Sequence, residues 1–167
     1  MVKSLYSFKI SLPLEIHKLN WHAIQYAFFI ALECEKIWRL GLKSKRKYPY
    51  PPCVNIAQCL DCGNMAYCKT LLSNPFPSRF HYPLKSQLQS LGKIGSNSSL
   101  CNNVIGKCSE PNAVNKLIGY CNSTTFSRLH SYPNLNNIQL SASYRPRTLE
   151  WIERCPNCSK IFGNETY

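Results

Sequence analysis

At 167 residues and 44% hydrophobic content the chain can bury one sizeable core, which excludes a disordered tail and a small disulfide-stapled peptide. Its formal net charge is +12, with 11 Lys+Arg against 4 acids in residues 1–80 and 9 against 4 in residues 81–167, a surface suited to polyanions such as nucleic acid, with simple solubility or an anionic protein partner as the alternatives. Ten cysteines without a leader-like apolar start point to reduced thiols at an intracellular site of action, cytoplasmic or nuclear, and no apolar run is long enough to span a membrane.

The first predicted element is a helix opened by Ser11 and Pro13 and running to about Gly41. Ile16, Leu19, Ala23, Tyr26, Ile30, Cys34 and Ile37 recur at three- and four-residue steps and form a core-facing stripe. Phe28, Phe29 and Leu32 widen that stripe, so burial on more than one side is expected, with Trp21 and Trp38 as packing residues. His17 and His22 fall on the helix flank and receive no role.

A basic, proline-stiffened connection follows, Lys43-Ser-Lys-Arg-Lys47 and Tyr48-Pro-Tyr-Pro-Pro52. Lys45, Arg46 and Lys47 are candidate phosphate contacts, with the two tyrosines as stacking surfaces; the competing reading is a solvated linker. Cys53, Cys59, Cys62 and Cys68 then place four thiols within sixteen residues. Cys59-Leu-Asp-Cys62-Gly63 has the form of a zinc knuckle, and the four are candidates for a second, structural metal; buried free thiols in a short helix are the alternative. Ser73–Pro83 reads as loop or strand edge, and Leu84–Ile105 as the first sheet hairpin and the turn that delivers Cys108.

The chemistry concentrates in Lys107-Cys-Ser-Glu-Pro-Asn-Ala113 and Arg154-Cys-Pro-Asn-Cys158. Pro111 belongs in the first turn of a helix, so Ser109–Ile118 is predicted helical with Gly119 as its stop, and Pro156 opens a second short helix that Gly163 closes. Cys108, Cys155 and Cys158 would then meet at two helix mouths, where unpaired amides favour thiolates, with Glu110 beside them as a carboxylate that binds no metal. Three protein ligands leave zinc a fourth position for water, whose pKa falls toward neutrality, and Glu110 can move its proton. The main alternative is structural zinc, with Cys101 or Cys121 as fourth ligand. Between the two motifs Tyr120–Asn137 is a polar insertion, Ile138–Tyr144 alternates as a strand, Arg145, Arg147 and Arg154 are candidate nucleic-acid contacts, and Trp151 is expected to pack under the second helix.

Cys-Ser-Glu-Pro-Asn-Ala with a later Cys-Pro-Asn-Cys resembles the cytidine deaminase-like superfamily, and within it the bacterial polymorphic-toxin deaminases. The likeness covers about Leu91 to the C-terminus; it departs from the usual pattern where Arg154 stands in place of a proline and where the tail after Cys158 is short. The resemblance implies an α/β, three-layer deaminase-like sandwich with a mixed sheet of about 4–5 strands flanked by helices. It implies a core at 81–167, with 1–80 an N-terminal helical and Cys-rich elaboration packed on it. It also implies one catalytic Zn2+ held by Cys108, Cys155 and Cys158, Glu110 as proton shuttle, and hydrolytic deamination of cytosine in single-stranded nucleic acid, with an immunity protein as partner if the chain is toxin-derived. A non-catalytic, zinc-stabilised nucleic-acid-binding module and a free nucleoside or nucleotide deaminase are the alternatives.

Overall fold

The computed structural model describes residues 3–123 and 134–163. In chain order the elements are α1 (Lys3–Arg39), β1 (Val54–Cys59), β2 (Met65–Lys69), α2 (Tyr82–Gln89), α3 (Ser109–Ser123), β3 (Ile138–Leu140), β4 (Ser143–Tyr144), β5 (Trp151–Ile152) and α4 (Pro156–Phe162), with 3-10 turns at Pro77–Arg79 and Leu135–Asn137. The protein is therefore α/β, with one five-stranded sheet and four helices among the described residues. The sheet runs β2-β1-β4-β5, with β3 also on β1, and every pairing among the described residues is antiparallel.

β1 organises the molecule. It has neighbours on both edges and helices on both faces, and all of its residues except Gln58 are buried. Its two-residue alternation separates two cores. Val54 and Ile56 face α1, where they meet Leu19, Ala23, Ala27, Ile30 and Cys34. Ala57 and Cys59 face α2 and α3, where they meet Leu84, Leu88, Ala113, Val114, Leu117, Ile118 and Cys121. Leu84, Leu117 and Ile118 are fully buried, each stabilising the fold by about 1.5–3 kcal/mol. Ile161 and Phe162 of α4 pack against this second core. The sheet takes β1 and β2 from residues 1–80 and its other strands from residues 81–167.

The strand expected at Ile138–Tyr144 forms, but with a break. β3 pairs with β1 in the register Ala57↔Leu140, whereas β4 pairs as Val54↔Tyr144, so one extra residue is accommodated between them as a bulge. Asn55 is fully buried beneath it, its Nδ2 donating to Ser141 O at 2.7 Å and Ser143 Oγ at 3.1 Å. Ile56 N donates to Ser141 Oγ at 3.0 Å, and Ala142 N donates to Asn20 Oδ1 of α1 at 2.7 Å. These bonds satisfy backbone groups that the interrupted ladder would leave bare.

Several expectations are corrected. The first hairpin is β1–β2, inside the cysteine-rich stretch, because Val54 to Cys59 is a run of small and β-prone residues suited to a doubly covered strand. Leu84–Ile105 instead contributes α2, with Pro83 in its first turn, and a loop closed by the Asn97–Val104 bridge. α1 starts at Lys3, ahead of Ser11. It is buried along one side only: Trp21, Phe28, Phe29 and Leu32 are exposed. Trp151 is also exposed, since β5 is an edge strand rather than a support for α4. α3 runs through Gly119 to Ser123 instead of stopping there. The rest of the predicted polar insertion, residues 124–133, lies outside the described residues.

Candidate metal centre

Cys108 sits one residue before α3, Cys155 is the N-cap residue of α4, and Cys158 lies one turn into α4. Pro156 and Gly163 bound α4 as expected, because a proline suits the first helical turn and a glycine the left-handed residue that ends it, here at φ 76°. The two helix starts converge so that the three sulfurs lie within 4.8 Å of one another, with Cys108 Sγ 3.6 Å from Cys155 Sγ. That spacing is far longer than the ~2.05 Å of a disulfide. It matches the edge of about 3.8 Å that follows from tetrahedral Zn–S bonds of about 2.3 Å. The donor set is soft, drawn from two elements, and made only of thiols; it fits zinc.

Within the cluster hydrogen bonds from Cys108 and Cys158 hold the Cys155 thiol low, the bond to Cys155 raises Cys108, and bonds with Cys108 and then Cys155 raise Cys158. Three adjacent sulfurs cannot all ionise without a cation among them, so proton release and metal binding are coupled here.

Glu110 is 3% exposed and is not a member of the three-sulfur group. Ser109 Oγ donates to its Oε2 at 3.1 Å, and the Cys53 thiol lies 3.1 Å from the same Ser109 oxygen, with Thr70 Oγ1 a further 3.1 Å from Cys53. Burial pushes the Glu110 carboxyl up, the neighbouring Cys155 adds to the rise, and hydrogen bonds to the backbone and Ser109, with Arg154 nearby, oppose it. Such a carboxyl exchanges protons closer to neutrality than a solvated glutamate does.

Two asparagines from the same motifs hold the approach to Cys108. Asn112 Nδ2 donates to Cys108 O at 2.6 Å and to Gly106 O at 2.9 Å, and Asn157 Nδ2 donates to Asn103 O at 3.2 Å. Ser109, Asn112, Asn157 and the Cys53–Thr70 pair were missed as neighbours of the site. For the asparagines the signal was their place inside Glu-Pro-Asn and Cys-Pro-Asn-Cys; for Cys53 there was none.

The predicted second metal set, Cys53, Cys59, Cys62 and Cys68, is corrected. Cys53 immediately precedes β1 and Cys59 ends it, so the two are about 20 Å apart at 3.3 Å per residue. Cys53 instead faces Ser109, and Cys68 lies opposite Asn55 in the middle of the hairpin. Cys59 and Cys62 are joined by Cys121 from the far end of α3, the three sulfurs again lying within 4.8 Å of one another. Cys121 therefore cannot be a fourth ligand for Cys108, and Cys101 belongs to neither group.

The candidate nucleic-acid contacts separate. Lys45, Arg145 and Arg147 line two adjoining grooves of about 440 and 560 Å³ with Trp38, Pro49, Tyr50, Pro51, Pro52 and Thr148. Lys45 Nζ stands 5.0 Å over the Trp38 ring, and Tyr50 meets Trp38 edge to face at 4.8 Å. Arg46 and Lys47 are exposed beside this groove without lining it. Arg154 follows β5 in the chain, lines neither groove, and its Nη1 donates to Gly163 O at the end of α4 at 2.7 Å. No helix among the described residues is long and apolar enough to cross a membrane. The chain matches no protein-family model, no curated protein and no solved structure.

Proposed function

We propose that this protein is a zinc-dependent hydrolytic deaminase of a nucleobase, acting on cytosine in single-stranded nucleic acid through a deaminase-like three-layer fold. The observation that carries the reading is the pairing of a three-sulfur group with a buried carboxylate that stands outside it. A structural zinc site has no use for such an acid; a hydrolytic one needs an open position and a proton carrier beside it.

Cys108, Cys155 and Cys158 would hold the ion, which supplies a water acidified toward neutral pH and polarised for attack. Glu110 accepts one proton of the attacking water and delivers it to the ring nitrogen as the C–O bond forms; it then takes the second proton from the new hydroxyl and gives it to the amino group, which leaves as ammonia as the C–N bond breaks and the carbonyl forms. Ser109 keeps the Glu110 carboxyl in one rotamer by donating to Oε2. Asn112 and Asn157 fix the loop that delivers Cys108. The groove with Lys45, Arg145, Arg147, Trp38 and Tyr50 offers cations for phosphates and aromatic faces for bases. Pro52 lines it, and the next residue in the chain, Cys53, contacts Ser109. On this reading a partner protein that silences the chain would cover that groove.

The test is Glu110→Gln against the unaltered chain, each incubated with single-stranded DNA and RNA pools whose products are sequenced and whose ammonia is measured. The expected result is retained fold and zinc with product lost by at least about 100-fold, the range for removing a general acid–base. Unchanged product formation would refute it. If neither protein converts any base while both bind oligonucleotides, the groove supports the second reading, a zinc-stabilised binding module without catalysis.

A further inference from the structure

We infer that Cys59, Cys62 and Cys121 form a second metal site, a structural zinc that fastens the β1–β2 hairpin to the C-terminal end of α3. The three sulfurs lie within 4.8 Å of one another, and Cys62 Sγ is 3.7 Å from Cys121 Sγ, the same tetrahedral edge seen at the first cluster. The residues come from three places in the chain: the last position of β1, the turn that follows it, and the last turns of α3.

The turn is built in the manner of a zinc knuckle. Gly63 adopts φ 73°, its N–H donates to Cys59 O at 2.8 Å, and Cys59 N donates to Asn64 O at 2.9 Å, so the chain reverses within four residues. This reversal turns the backbone amides of Cys62 and Asp61 onto Cys59 Sγ. The helical half of the site exists because α3 continues through Gly119, which places Cys121 opposite the turn.

The site differs from the first in what surrounds it. The adjacent carboxylate, Asp61, is exposed and accepts from Asn137 Nδ2, whereas Glu110 at the first site is buried; Cys59 and Cys121 are 0% and 1% exposed, so a substrate has no approach. Cys62 alone is partly exposed, which gives an ion its route of entry and leaves solvent available as the remaining ligand. Soft thiolates select zinc over magnesium or calcium. The consequence is mechanical: an ion here joins residues 62 and 121 and so closes a long loop that contains α2 and the first metal cysteine.

The experiment is metal content per chain by mass spectrometry of the full-length protein, purified anaerobically with zinc present, for the unaltered chain and for Cys62→Ser, Cys121→Ser, Cys108→Ser, Cys53→Ser and Cys68→Ser. The expected result is two equivalents for the unaltered chain, Cys53→Ser and Cys68→Ser, and one for the other three. Cys121 is buried and its replacement can unfold the chain, so the partly exposed Cys62→Ser decides. In the Cys108→Ser chain, which retains only the second site, a chelator should lower the thermal midpoint, and this shift should vanish when Cys62→Ser is added. Full zinc retention in Cys62→Ser overturns the inference, as does an intact mass two hydrogens short that maps to a Cys62–Cys121 disulfide. Loss of zinc in Cys62→Ser with none lost in Cys108→Ser would instead remove the proposed catalytic centre and leave this site standing.

Discussion

Asn55→Ala tests whether the bulge between β3 and β4 is held by one buried amide. The substitution removes two hydrogen bonds, 2.7 Å to Ser141 O and 3.1 Å to Ser143 Oγ, from a side chain with no solvent exposure. Two neutral bonds contribute about 0.5–1.5 kcal/mol each, and leaving the Ser141 carbonyl bare costs a further ~1–3 kcal/mol. Against this, Asn55 Oδ1 is itself buried without a partner, and deleting it relieves about 1–3 kcal/mol. The net expectation is a loss of about 1–3 kcal/mol, before any cavity is counted. Urea unfolding followed by far-UV circular dichroism reads this as a midpoint about 0.5–1.5 M lower, taking a slope near 2 kcal/mol/M. Asn55→Asp should be worse than Ala at neutral pH, because a carboxylate only accepts and would face Ser141 O, and it should recover on acidification as the carboxyl regains a donor. A loss below about 0.5 kcal/mol for Ala, the size of an ordinary surface change, with Asp no worse, would refute the reasoning.

Two glycines should respond with opposite signs. Gly119→Ala lies within α3, where a Cβ would sit 3.5 Å from His81 Nε2 in ordinary contact, and should stabilise by about 0.5–1 kcal/mol; Gly95→Ala has φ 88° and a Cβ only 2.6 Å from Pro75 O, and should destabilise by more than about 2 kcal/mol, both read by thermal unfolding. Burial, with Cys68 and Glu33 nearby, raises the Tyr26 phenol from 10.0 to about 12. A folded-state pKa above the unfolded one contributes stability that is complete below pH 10 and lost as pH climbs through about 12, so alkaline unfolding should be shallower in Tyr26→Phe. Arg147→Ala removes a cation shared by both grooves, and should weaken single-stranded oligonucleotide binding and reduce its salt slope by about 0.7, measured by fluorescence anisotropy across a salt series.

Local rules carried part of this structure. Pro156 and Gly163 mark both ends of α4 because capping acts within a turn, and the spacing of Leu19, Ala23, Ile30 and Cys34 marks the buried side of α1 because a helix repeats its face. Cys108, Cys155 and Cys158 were legible as a set because their flanking prolines fix where two helices begin. What failed depended on distant neighbours. Gly119 looked like a stop, yet the burial of Leu117, Ile118 and Cys121 around it outweighs the ~1 kcal/mol a glycine costs inside a helix. Cys53 and Cys68 share a short stretch with Cys59 and Cys62, yet the hairpin carries Cys53 to Ser109 and Cys68 to a place opposite Asn55, away from that pair. Nothing in the local sequence joins Cys59 and Cys62 to Cys121, since that meeting is set by how α3 lies along β1. Phe28, Phe29 and Leu32 widen the apolar stripe in sequence, yet they and Trp21 stay exposed because α1 offers the sheet only one face.

Because α3 is unbroken from Ser109 to Ser123, it works as a ruler with a thiol just ahead of one tip and another near the opposite tip. Such a ruler can be lengthened only in whole turns: one added residue would swing Cys121 by about 100° and push it ~1.5 Å further along the axis. Any working descendant of this chain should therefore tolerate exchange of side chains along the outer surface of that rod far better than the gain or loss of a single peptide unit within it.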